Sequence, residues 1–113
     1  LPIKLIAAAY TVVKDDSGKV LVMTSASAVT ITLPAAAGNE GMHVWVFGQG
    51  AGALTIAATA GELVAFNDAS ANSIAFSTAL EIIGAGVHAI CTGSKWLALV
   101  HLGIETQTPT IAT

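Results

Sequence analysis

A chain of 113 residues that is 54% hydrophobic and 10% charged, with a net charge of −3 and no arginine, fits one domain and is too apolar for disorder. It lacks the clustered Lys or Arg that phosphate contacts need, so direct nucleic-acid binding is excluded, and no run approaches the roughly 18–20 uninterrupted apolar residues of a membrane helix. Soluble domains carry about 25% charged residues, and a small domain cannot hide this much apolar matter in its own core, so part of the surface is expected to meet other subunits.

Hydrophobic alternation has period 2 nearly throughout. Residues 10–14 read as a strand, Asp15-Asp16-Ser17-Gly18 as a hairpin turn, and residues 19–23 as the return strand. Ala28 to Leu33 alternates Val29, Ile31 and Leu33 against Thr30 and Thr32, the pattern of a half-buried strand, and Pro34 ends it. After a small-residue loop to Gly41, Met42 to Phe47 carries large side chains on both faces, which predicts burial on both sides, in a sheet stack or at a subunit interface. Gly48 to Gly52 reads as a turn. Short strands are expected at 53–58, 62–66, 73–76 and 80–83, with a polar turn over 67–72. Val87 to Thr92 and Lys95 to Leu102 form the last pair, joined by a two-residue turn at Gly93-Ser94.

About nine or ten short strands with turn signals every 8–12 residues predict an all-β fold: an antiparallel β-sandwich or barrel, jelly-roll-like or β-tulip-like, with extended termini. No fixed-period repeat stands out. The expected organisation is an N-terminal arm (1–9), a β domain (10–102) and a C-terminal tail (103–113). Each end reads either as a frayed terminus or as an arm that adds a strand to a neighbour's sheet. Leu1 to Ile6 lacks the basic start and long apolar run of a signal peptide, and the missing initiator Met points to residues upstream.

No constellation of catalytic residues emerges. His43, His88 and His101 share no metal-ligand spacing, and His88 and Cys91, three apart in a strand, fall on opposite faces. Asp15 and Asp16 read as turn geometry, and the glycine runs at 48–52 and 84–86 lack the Lys-Ser/Thr of a phosphate cradle. Cys91 reads as a small buried hydrophobe. Trp45 and Trp96 read as core or interface anchors, with sugar or base stacking the alternative for an exposed one. The expectation is no enzyme, no cofactor and no metal.

The order of motifs is similar to that of a known group. Tyr10-Thr-Val-Val is followed by Asp16-Ser-Gly-Lys-Val20, then Ala28-Val-Thr-Ile-Thr-Leu-Pro34, Ala35-Ala-Ala-Gly38 and Gly41. A Gly-rich turn precedes Leu54-Thr-Ile56, and Gly93-Ser-Lys-Trp96 comes late. In these motifs residues 10–100 resemble small β-rich virion proteins of tailed bacteriophages, namely capsid decoration (cement) proteins and head- or tail-fibre modules. The resemblance implies a structural protein, typically a homotrimer. It would bind the major capsid protein on the outer surface of the head after synthesis in the host bacterial cytoplasm. A fibre module that binds a receptor or glycan, and a self-assembling shell or filament subunit, are the alternatives. The apolar patterning itself marks Leu1, Ile3, Leu5, Ile6, Met42, His43, Trp45 and Phe47 as the expected interface, with no membrane or nucleic-acid contact.

Overall fold

Alternating side chains divide cleanly between inside and outside: Val29 and Ile31 are buried while Thr30 and Thr32 face out, and Val44 and Val46 are buried while Phe47 is exposed. The computed structural model describes all of residues 1–113. It contains β1 (Ile3–Ile6), β2 (Tyr10–Thr11), β3 (Val20–Met23), β4 (Val29–Thr32), β5 (His43–Gly48) and β6 (Leu54–Ala57). The second half contains β7 (Leu63–Ala65), β8 (Asp68–Ala71), β9 (Ser73–Phe76), β10 (Gly86–Cys91), β11 (Trp96–His101) and β12 (Thr110–Ala112). There is no α-helix, and no helix is long and apolar enough to cross a membrane.

The strands form two mixed sheets. One has the order β1-β3-β5-β10-β11-β7-β8 and the other β12-β9-β6-β4-β2. The expected antiparallel pairing is therefore only half of the arrangement: β1/β3, β3/β5, β2/β4, β4/β6 and β11/β7 are parallel. The cause lies in the connections. From β1 to β6 the chain alternates between the sheets, so β1, β3 and β5 stack in one layer and β2, β4 and β6 in the other, as successive turns of a flattened coil. A chain that returns to the same layer from the same side lays its strands parallel.

This coil overturns the hairpin expected over residues 10–23. Residues 14–16 form a single 3-10 turn with Asp16 buried, and that turn carries the chain from one layer to the other instead of doubling it back. The coil also contains a sequence repeat that local patterning did not bring out. Ser25 to Leu33 and Gly50 to Ala58 are offset by one turn of the coil, with Ala26/Ala51, Ala28/Ala53, Thr30/Thr55 and Ile31/Ile56 identical and Val29↔Leu54 in register. The glycines of the second copy have a steric reason. A Cβ at Gly50 or Gly52 would collide with the carbonyl oxygens of Ser25 and Ser27 in the turn below.

Further differences are local. Residues 67–72 are mostly strand β8, because Phe66 and Asn67, both at positive φ, make the tight turn one step earlier. Residues 80–83 form a turn, with Leu80 at φ 66°, not a strand. The hairpin at Gly93-Ser94 is present, with Cys91 opposite Trp96. Both ends fold into the chain's own sheets. β1 pairs with β3, and β12 pairs with β9. The Gln107 side chain is buried and donates to the carbonyls of Glu81 (2.9 Å) and Thr78 (3.4 Å), which ties down the segment before β12.

Between the layers lies one core. Leu21, Met23, Val44, Val46, Val87, Ala89, Leu63 and Trp96 from the larger sheet meet Val29, Ile31, Leu54, Ile56, Ile74 and Phe76 from the smaller.

Candidate functional site

The two outer faces differ in chemistry. On the smaller sheet the outward positions are small and hydroxylated: Thr30, Thr55, Ala75 and Thr110 make one row, and Thr11, Thr32, Ala57, Ser73 and Ala112 the next. On the larger sheet the register aligns large side chains across five strands. Ile3, Val20, Trp45, His88 and Leu99 form one row, and Leu5, Val22, Phe47, Gly86 and His101 a second. His43, Ile90, Leu97 and Val64 form a third across β5, β10, β11 and β7. None of these positions is Asp, Glu or Lys.

At the centre of that face three rings pack together. Trp45 stacks on His88 with centroids 4.2 Å apart and planes 8° from parallel, and His43 meets both edge-on. His43 Nδ1 and His88 Nε2 are 3.0 Å apart and share a hydrogen bond. Burial, and next the neighbouring His43, hold the His88 pKa below the ordinary 6.5. A groove of about 440 Å³ runs over this part of the sheet, lined by Leu1, Val20, Trp45, Phe47, His88 and Leu99 among others.

The residues expected at an interface divide into two sets. Leu1, Ile3, Leu5 and Phe47 are exposed, and His43 and Trp45 are half-buried on the same outer face. Ile6 and Met42 are different: both lie in the core, 4% and 5% exposed, because strand alternation turns them inward. They are withdrawn as interface residues. Val20, His88 and Leu99 belong to the face and were missed, since their adjacency depends on strand register, which period-2 patterning within single strands does not supply. Trp96 is fully buried and donates from Nε1 to Pro34 O at 2.8 Å, which makes it a core anchor. Cys91 is buried and free, on the face opposite His88.

A second polar cluster lies where β1 and β2 meet the 14–16 turn. Asp16 is 1% exposed, and its carboxylate accepts from the Tyr10 hydroxyl (2.5 Å), the Val13 N–H (3.0 Å) and Lys19 Nζ (3.3 Å), with Lys4 Nζ 3.8 Å away. Lys4 in turn donates to Tyr10 at 2.8 Å, so the cluster clamps β1 to β2. It is a structural tie: every strong acceptor site on Asp16 is already used by its own chain. Burial alone pushes the Asp16 carboxyl up, but the Tyr10, Val13, Lys19 and Lys4 interactions together outweigh it and hold the pKa below the ordinary 3.8. A depressed carboxyl stabilises the fold above its unfolded pKa, and that contribution disappears as pH falls through the folded value. Asp16→Asn is therefore expected to lower stability by about 2 kcal/mol at pH 7. In thermal melts the gap from wild type should narrow as pH drops below 3.8; a gap that stays constant down to the lowest pH would contradict the assignment.

No group of three or more His, Cys, Asp or Glu side chains is placed to hold a metal ion. Comparison with known proteins gives no relative: no protein-family model, no curated protein and no solved structure matches the chain.

Proposed function

We propose that this chain is a structural virion protein, a decoration (cement) protein that binds the major capsid protein on the outer surface of a phage head and acts as a homotrimer. One observation carries the reading: a two-layer plate with an uncharged aromatic and aliphatic face on one side and a Thr/Ala/Ser face on the other. An exposed apolar face of this kind marks an interaction surface, and the hydroxylated face suits contact with water. Cementing a symmetric shell needs many modest contacts repeated around it, each gaining roughly 25 cal/mol per Å² of apolar area before association costs. A stiff β module with short connections loses little entropy in making them. The motif resemblance described above points the same way.

Immunogold electron microscopy of phage particles released by the cells that make the chain tests the reading. Gold over the head surface is the expected result. Label confined to the tail would favour a fibre module instead, and particles that carry no label at all would remove the virion assignment.

A further inference from the structure

We infer that His43 and His88 form an acid-operated latch: the two rings stay joined while the pair holds at most one extra proton, and a second proton releases His43 while His88 stays on Trp45. The inference goes beyond the assembly reading and does not rest on it.

Geometry defines the two states. His43 Nδ1 and His88 Nε2 are 3.0 Å apart and the ring centroids 5.2 Å apart, so the two nitrogens point at one another. With both rings neutral, one nitrogen donates and the other accepts. One added proton leaves that bond in place, since an imidazolium still donates to a neutral ring. A second proton leaves two N–H donors facing each other with no acceptor between them. The bond is then lost, and two like charges repel at close range.

The two rings differ in what else holds them. His88 lies flat on the Trp45 indole, centroids 4.2 Å apart and planes 8° from parallel, where a cation is attracted by the indole face. His43 meets Trp45 edge-on, at 68°, and its cation gains no such attraction. It is also the first residue of β5 and half-buried. Its backbone is fixed on both sides: its N–H donates to Ser17 Oγ at 3.2 Å, and its carbonyl accepts from the Gly18 N–H at 2.8 Å. The movement is therefore confined to the His43 side chain.

The elements packed against the pair supply no paired counter-charge. β3 brings Val20, β5 Trp45, β10 Ile90, and β11 Leu97 and Leu99. His101 of β11 and Leu1, with the terminal amine, line the groove beside His88. Lys14 and Glu40 line a hollow with Ser17 and Met42 at the start of β5, and Lys19 turns to Asp16. Both ion pairs of the chain belong to Asp16, so no carboxylate forms one with either ring. The depressed His88 pKa agrees with a second proton taken up below the ordinary 6.5. The sign follows: the joined rings stabilise the fold above 6.5, and that contribution is lost as pH falls from there through the folded value. An apolar contact over these rings would then have to bury both charges, so the step that opens the latch also opposes such a contact.

Nuclear magnetic resonance on the purified chain is the test. At pH 7.5, Overhauser cross-peaks should join the His43 ring to the His88 ring and the His88 ring to Trp45. At pH 4.5 the first should be lost and the second retained. His43→Gln, neutral at every pH, should raise the His88 titration midpoint, and His101→Gln should leave it in place. A His43–His88 cross-peak that persists at pH 4.5 overturns the inference, as does loss of the His88–Trp45 cross-peak there. An unchanged His88 midpoint in His43→Gln also overturns it, because the two rings would then titrate independently. None of these outcomes depends on where antibody labels a phage particle, so latch and virion reading stand or fall separately.

Discussion

Replacing Trp96 with Ala should cost about 4 kcal/mol, a large part of the 5–15 kcal/mol that holds a domain of this size folded. The indole is completely buried on β11, next to Leu63 of β7 and opposite Cys91 of β10. Its removal leaves a cavity that two packed sheets cannot close, since the backbones on either side are fixed by their ladders. It also strands the Pro34 carbonyl, 62 residues away in sequence, which now accepts from Nε1. That bond fastens the end of the β4 segment to the other layer. Trp96→Phe separates the two contributions. It retains most of the volume and loses the hydrogen bond, and should cost about 1–2 kcal/mol. Urea unfolding of the three proteins measures both steps. A Trp96→Ala loss under about 1 kcal/mol would mean that the anchor role is wrong.

A chain that begins at Ala7 should be less stable by about 3–4 kcal/mol, and it should aggregate at lower concentration than the full chain. Truncation removes β1 and with it the buried Ile6, the Val20 N–H to Pro2 bond, the Thr24 N–H to Ile6 bond and the Lys4–Tyr10–Asp16 clamp. It also uncovers the edge of β3, whose unpaired backbone and Val20 and Val22 side chains form a template for another strand. A free arm would behave differently, since its loss would leave the melting temperature unchanged. Melting curves of the two chains decide between a strand and an arm, and light scattering at matched concentration reads the uncovered edge.

Much of the fold was legible where neighbours in sequence are neighbours in space. The Val29–Leu33 alternation, the Gly93-Ser94 hairpin and the opposite orientation of His88 and Cys91 depend only on the strand period and a local turn. The parallel coil was not legible from such signals, because β3 and β5 are joined through a strand of the other layer and nothing local distinguishes that path from a hairpin. The 25-residue offset between Ser25–Leu33 and Gly50–Ala58 was the available clue, and small-residue substitution (Ser25 to Gly50, Ser27 to Gly52) concealed it. The candidate face was half legible. His43, Trp45 and Phe47 follow from one strand, but their continuation through Val20, His88 and Leu99 is a property of register. Met42 and Ile6 were assigned by hydrophobicity alone, and their parity in the strand or loop turned them into the core.

The central claim is that the uncharged face of the larger sheet is covered when the protein assembles. Acrylamide quenching of tryptophan fluorescence reads this most directly, because Trp96 is fully buried in the core of the chain and a change on assembly reports Trp45. Quenching measured as concentration is raised through the association range at pH 7.5 should fall as oligomers form. Trp45 equally open to acrylamide in monomer and oligomer would place the contact on another surface and contradict the account.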